Sequence, residues 1–142
     1  MVKSRQVAEF GDFQTPLTLA KEVITVIKAI EHPGQIIEPT CGLGNFLKAC
    51  IDMGIGASKL TGWEINAEYV SLANKSLNSI SSQIDRIVEQ QDFYKIDWYQ
   101  LKKKYEDPVL FIGNPPWVTN AELGKLFSNN IPDKQNFQKL SG

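Results

Sequence analysis

The feature that most constrains this chain is an alternation. Short strand-like runs at Gln35–Glu38, Lys59–Glu64, 86–89 and 109–112 are separated by stretches with helical spacing. Residues 17–30 follow Pro16 and place Leu19, Val23, Val26, Ile27 and Ile30 at helical intervals. Residues 45–53 form a second helical stretch, stopped by Gly54, and 67–80 and 98–105 form two more. Strand, helix, strand, helix at this spacing predicts an α/β fold, a parallel sheet with helices on both faces. Right-handed crossovers then bring the loops that follow the strands to one edge, where ligands of such sheets bind. The run 109–112 (Val-Leu-Phe-Ile) is apolar throughout, as in a strand buried on both faces.

Four of those loops carry chemistry. Glu38-Pro39-Thr40-Cys41-Gly42-Leu43-Gly44-Asn45-Phe46 runs from the first strand into a helix. Gly42 and Gly44 allow a tight turn and a close approach of backbone to a ligand. The helix N-terminus behind them favours an electron-rich group. Glu64 ends the second strand, 22 residues after Gly42. An acidic residue about 20 residues on from a glycine turn is placed to accept hydrogen bonds from ribose hydroxyls. The chain has no phosphate-loop lysine pattern and no full G-x-G-x-x-G, so a nucleoside without a pyrophosphate fits better than NAD. Asp92-Phe93 follows the third strand; a carboxylate and a ring there suit an adenine amino group and its base face, or a structural turn.

The fourth loop is Asn114-Pro115-Pro116-Trp117. Its prolines remove backbone donors, so it presents acceptors, the Asn114 side-chain oxygen and the Pro115 carbonyl. Two acceptors can hold both hydrogens of one amino group. An aromatic amine is a poor nucleophile because its lone pair is delocalised. Hydrogen bonds that draw both hydrogens out of conjugation localise that pair and stabilise charge developing on nitrogen. Trp117 would stack on a planar ring taken out of its duplex. A proline-rich turn beside a core tryptophan is the plainer alternative.

Other chemistries have little to work with. Cys41, Cys50 and the single His32, which sits in the turn-like His32-Pro33-Gly34, cannot make a four-ligand zinc site, and no metal is expected. No apolar run reaches the roughly 18 residues of a membrane span, and Met1-Val2-Lys3-Ser4-Arg5-Gln6 leads into no signal-peptide core, so a cytoplasmic location is expected. The net charge of −1 is low for a chain that grips DNA unaided. Residues 117–142 are polar and without strong periodicity, and a domain rarely ends on so long an irregular stretch. The expectation is an incomplete sheet of four strands with one edge uncovered.

Together these motifs resemble the amino-methylating, adenine-specific DNA methyltransferases of restriction-modification systems. Asn114-Pro115-Pro116-Trp117 resembles their catalytic motif, and Glu38 to Gly44 is similar to their cofactor motif. Gly11-Asp12-Phe13-Gln14-Thr15-Pro16 resembles the motif these enzymes carry upstream. The order is that of the class whose target-recognition domain follows at the C-terminus. The resemblance spans residues 10 to about 117.

It implies a Rossmann-like fold binding S-adenosylmethionine, of which residues 1–142 form the cofactor-binding half. Phe13, Thr15, Glu38, Thr40, Cys41, Gly42 and Gly44 would line the cofactor. Glu64 would hold its ribose, Ile65 would also line the cofactor, and Asp92 and Phe93 would contact its adenine. Asn114, Pro115, Pro116 and Trp117 would hold the target amine and base. The implied partners are DNA, through a C-terminal recognition domain missing here, and an associated restriction endonuclease. Two alternatives stand: an acceptor on protein glutamine or an RNA base, and an inactive cofactor-binding fragment.

Overall fold

A computed structural model describes residues 14–28, 33–105 and 108–115 of the 142-residue chain. Their order is α1 (Leu17–Lys28), β1 (Gln35–Glu38), α2 (Asn45–Asp52), β2 (Lys59–Glu64), α3 (Ala67–Asn78), β3 (Asp85–Gln90), a 3-10 turn (Phe93–Lys95), α4 (Trp98–Lys104) and β4 (Val109–Phe111). The strands form one parallel sheet in the order β3-β2-β1-β4. The chain therefore steps outward from β1 to β2 to β3, then crosses back to pair β4 with the other side of β1. This reversal puts a topological switch point between β1 and β4, where open α/β sheets leave a crevice for a ligand.

The reversal also sorts the helices. Successive strand residues alternate between faces. Ile36, Leu60 and Val88 look one way, into a core shared with Ala20 and Ile24 of α1, Leu47 and Cys50 of α2, and Ala73 and Leu77 of α3. Trp63 and Phe111 look the other way and meet Trp98 of α4 ring to ring. The predicted helices on both faces are present, three on one side and α4 on the other, as right-handed crossovers require once the strand order reverses.

Local signals set the helix starts. Asn66 Oδ1 accepts the N–H groups of Glu68 (2.9 Å) and Tyr69 (3.4 Å) ahead of α3, and Asp97 does the same for Tyr99 and Gln100 ahead of α4. The last turn of α4 carries Lys102, Lys103 and Lys104, the sign that suits a helix C-terminus. Asn74 of α3 serves the sheet instead. Its Nδ2 donates to the Val88 carbonyl (2.7 Å) and its Oδ1 accepts the Val88 N–H (2.9 Å), on the side of β3 turned away from β2.

Three expectations need correction. The buried stripe of α1 runs through Ala20 and Ile24, flanked by Leu17, Val23 and Ile27, while Leu19 and Val26 are 49% and 64% exposed. Positions 19 and 26 lie seven residues apart on the side of the helix opposite Ile24, so apolar character there did not mark the core. β4 is not buried on both faces: Phe111 is 43% exposed, because β4 lies at the edge of the described sheet. Several ends also shift by a residue or two: α2 stops at Asp52, α3 at Asn78, α4 at Lys104 and β4 at Phe111, while β3 gains Asp85 and Gln90. Ile30 and His32 lie outside the described residues. No helix among those described is long and apolar enough to cross a membrane.

Candidate cofactor-binding and catalytic site

The loop between β1 and α2 is held by its own backbone. Cys41 N–H donates to the Trp63 carbonyl (2.9 Å), and Gly44 N–H to the Cys41 carbonyl (2.7 Å). Gly42 (φ 53°) and Gly44 (φ 74°) take the left-handed conformation that closes so short a turn and that other residues reach only with strain. Gly44 precedes α2 and has no side chain to cap it. Glu38 does this from the end of β1, its Oε2 accepting the Leu47 N–H at 3.3 Å. The carboxyl is only 3% exposed. Burial pushes its pKa well above the ordinary 4.5, against the lowering pull of the Leu47 N–H and the Lys48 charge. The Cys41 and Cys50 thiols are also raised by burial, Cys50 to about 12, so neither is a ready thiolate.

Glu64 ends β2 beside the same turn. Its Oε2 accepts the Gly42 N–H at 2.9 Å and its Oε1 accepts the Asn66 N–H at 2.8 Å. Each oxygen has a second lone pair, so the carboxylate can still accept from two hydroxyls. Ile65 follows, exposed, and its carbonyl accepts from Gln90 Nε2 (3.0 Å). After β3, Asp92 Oδ1 caps the 3-10 turn through the Tyr94 N–H (3.0 Å), while Oδ2 pairs with Lys95 at 3.2 Å. Phe93 stands edge-on to Trp98 at 5.6 Å between centroids.

Across the switch point, Thr40 of the turn donates through Oγ1 to the Asn114 carbonyl at 3.4 Å. The loops after β1 and β4 are thus in contact, and Asn114 is half-buried with Pro115 exposed beside it. Thr40, Cys41, Gly42, Gly44, Glu38, Glu64 and Asn114 are brought together at one sheet edge, with Asp92 and Phe93 at the end of β3 along the same edge. Phe13, Pro116 and Trp117 lie outside the described residues. Thr15 enters through its carbonyl, which accepts from Asn45 Nδ2 at 2.8 Å.

Three contributors were not singled out from sequence. Gln14 reaches the turn, its Oε1 accepting the Leu43 N–H at 3.1 Å. Gly62, in mid-β2, lies under the turn, where a Cβ would come within 2.8 Å of Cys41 Sγ. A glycine inside a strand was the available signal, since it often marks a close approach. Trp98 joins Phe93 to Phe111 and Trp63, so one aromatic cluster spans the ends of β2 and β4 and the loop after β3. Among the described residues no three His, Cys, Asp or Glu side chains converge to hold a metal ion.

A parallel sheet whose order reverses beside its first strand, with helices on both faces, is the architecture of the Rossmann-like S-adenosylmethionine-dependent methyltransferase fold. Solved structures share that fold. PH1948 of Pyrococcus horikoshii, assigned as an RNA methyltransferase, matches with TM-score 0.57 and 17% identity over 81% of this chain and 54% of its own. SMU.472, assigned as a methyltransferase and solved with SAH, matches with TM-score 0.53 and 14% identity over 82% of this chain and 43% of its own.

No family model matches the sequence. The chain is 39% identical over 136 residues to type II methyltransferase M.NspV of Nostoc sp., a match covering 94% of this chain and 28% of that protein. It is 27% identical over 123 residues to type II methyltransferase M.VspI of Vibrio sp., covering 87% of this chain and 29% of that protein. In sequence the chain is thus similar to part of each of these two type II methyltransferases. It spans less than a third of the length of these two relatives.

Proposed function

We propose that this chain binds S-adenosylmethionine and carries the catalytic loop for methylation of the exocyclic amine of adenine in DNA, as the modification activity of a restriction-modification system. The observation that carries this reading is the contact of the two motif loops across the β1/β4 switch point through Thr40 and Asn114. The kinship with type II methyltransferases supports DNA as the substrate. Target recognition is assigned to surfaces other than residues 14–115, in keeping with the near-neutral charge.

The residues suit the cofactor. Glu64 has two lone pairs to offer ribose hydroxyls while its backbone bonds stay in place. Glu38, a buried carboxyl with a raised pKa, gains from a cationic group brought close to it, because a positive charge offsets its desolvation. Phe93, braced edge-on by Trp98, offers a face to a purine. When bound, S-adenosylmethionine would supply an electrophilic methyl group to the amine nitrogen and would be left as the neutral thioether. The Asn114 side-chain oxygen and the Pro115 carbonyl accept the two amine hydrogens and localise the nitrogen lone pair toward that methyl group. Their dipoles stabilise the positive charge that nitrogen acquires, and the surplus proton leaves to water.

The test is transfer of a labelled methyl group to unmethylated genomic DNA, read as labelled N6-methyladenine after digestion. Substituting Asn114→Ala is expected to abolish transfer and leave binding of S-adenosylhomocysteine intact. Labelled cytosine, or labelled protein or RNA with untouched DNA, would overturn the assignment of the acceptor.

A further inference from the structure

Gln14 lies just ahead of α1, exposed, yet its side chain is seated on the glycine turn. The Leu43 N–H donates to its Oε1 at 3.1 Å. A Cβ on Gly42 would lie 2.5 Å from both Oε1 and Nε2, so the amide fills the space a side chain at position 42 would need. The next residue, Thr15, receives a second bond through its carbonyl from Asn45, the first residue of α2. The segment 14–15 is thereby fastened to the turn at Leu43 and at Asn45.

On its other side the turn is held by Glu64, which accepts the Gly42 N–H at 2.9 Å. Two successive amides, Gly42 and Leu43, thus point at two different acceptors from distant parts of the chain. The two amides belong to successive peptide units hinged at Gly42, whose φ of 53° suits glycine, and each bond fixes the orientation of its own unit on either side of that hinge. The Gly42 N–H holds one oxygen of Glu64, and the Asn66 N–H holds the other at 2.8 Å.

We propose that Gln14 is a positioning residue of the cofactor site: its amide braces the Gly42–Leu43 peptide and so steadies the turn whose neighbouring Gly42 N–H orients one oxygen of Glu64. This deepens, and rests on, the S-adenosylmethionine reading above. It gives Gly42 a second requirement beyond its backbone angle, because the space over it belongs to Gln14 rather than to a ligand. The bond is solvent-exposed, so its loss costs the fold little, and its effect is expected on ligand affinity rather than on melting temperature.

Three proteins test this: the wild-type chain, Gln14→Met, which keeps the length without the acceptor, and Gln14→Glu, which keeps an oxygen acceptor. Calorimetric binding of S-adenosylhomocysteine and amide hydrogen exchange at Leu43 are measured on each, with melting temperature as a control. Gln14→Met is expected to bind about three- to tenfold more weakly, with faster exchange at Leu43 and an unchanged melting temperature. Gln14→Glu is expected to recover most of both losses. Equal or tighter binding by Gln14→Met, beside a wild type that binds, would overturn the brace. A well-folded wild type that binds no S-adenosylhomocysteine would instead sink the cofactor reading, while unchanged Leu43 exchange in Gln14→Met would refute the brace on its own.

Discussion

Gly62→Ala tests the architecture under the site. The added Cβ would meet Cys41 Sγ at 2.8 Å, Leu47 Cδ1 at 3.0 Å and Val88 Cγ2 at 3.1 Å. All three neighbours are buried, on the turn, α2 and β3, so none swings into solvent. A methyl group forced into a filled core costs about 1–3 kcal/mol. For a chain of this size each kcal/mol moves the melting temperature by roughly 3–5 °C, giving a fall of roughly 3–15 °C. Gly56→Ala is the matched control: its Cβ would meet nothing within 4 Å, so its change is expected to stay within about 0.5 kcal/mol. The assay is thermal unfolding followed by circular dichroism, with urea titration to confirm that only the midpoint moves. Adding Cys41→Ala to Gly62→Ala removes the nearest atom and is expected to recover part of the loss. A Gly62→Ala protein as stable as the Gly56→Ala control would refute the reasoning.

Other residues yield sharper local outcomes. The raised pKa of Glu38 means that the folded chain keeps a proton the unfolded carboxyl has lost above about pH 4.5, so stability falls as pH rises from there toward the folded value. Glu38→Gln keeps an acceptor for the Leu47 N–H and is expected to flatten that slope, which is at most about 1.4 kcal/mol per pH unit; urea unfolding between about pH 5 and pH 8 checks it, and parallel curves would contradict it. Trp98→Ala removes the ring shared by Phe93, Phe111 and Trp63, and is expected to cost about 1–3 kcal/mol because the ring is already half exposed, with weaker S-adenosylhomocysteine binding through a loosened Phe93. Asn74→Ala leaves both peptide groups of Val88 without their partner and is expected to cost about 1–3 kcal/mol, with faster amide exchange at Val88.

What the sequence disclosed follows from the range of each interaction. The glycine turn, the acidic residue after it and the strand-helix alternation depend on spacings of a few to about twenty residues, and the structure has them where they were expected. The cap on α3 is equally local, since Asn66 serves the next helical turn, although it was not singled out from sequence. Gln14 is different. It sits inside a recognisable motif, yet its partner is Leu43, 29 residues on, and no local pattern names that pairing. Gly62 likewise has meaning only once Cys41, Leu47 and Val88 surround it. Leu19 and Val26 misled because periodicity identifies two candidate stripes on α1, and only packing against α2 decides between them. The exposure of Phe111 follows from strand order, which an apolar run cannot reveal.

The side-chain amide of Asn74 has a consequence for how the sheet comes into being. A peptide-like group bonded to both polar atoms of Val88 does what another strand would do there, without offering that strand a further edge. All the parts needed, β1 to β3 with α3, lie within residues 35–90. As the chain leaves the ribosome, β1 to β3 and α3 are all present before β4 has been synthesised, and Asn74 can already occupy the outer side of β3 at Val88.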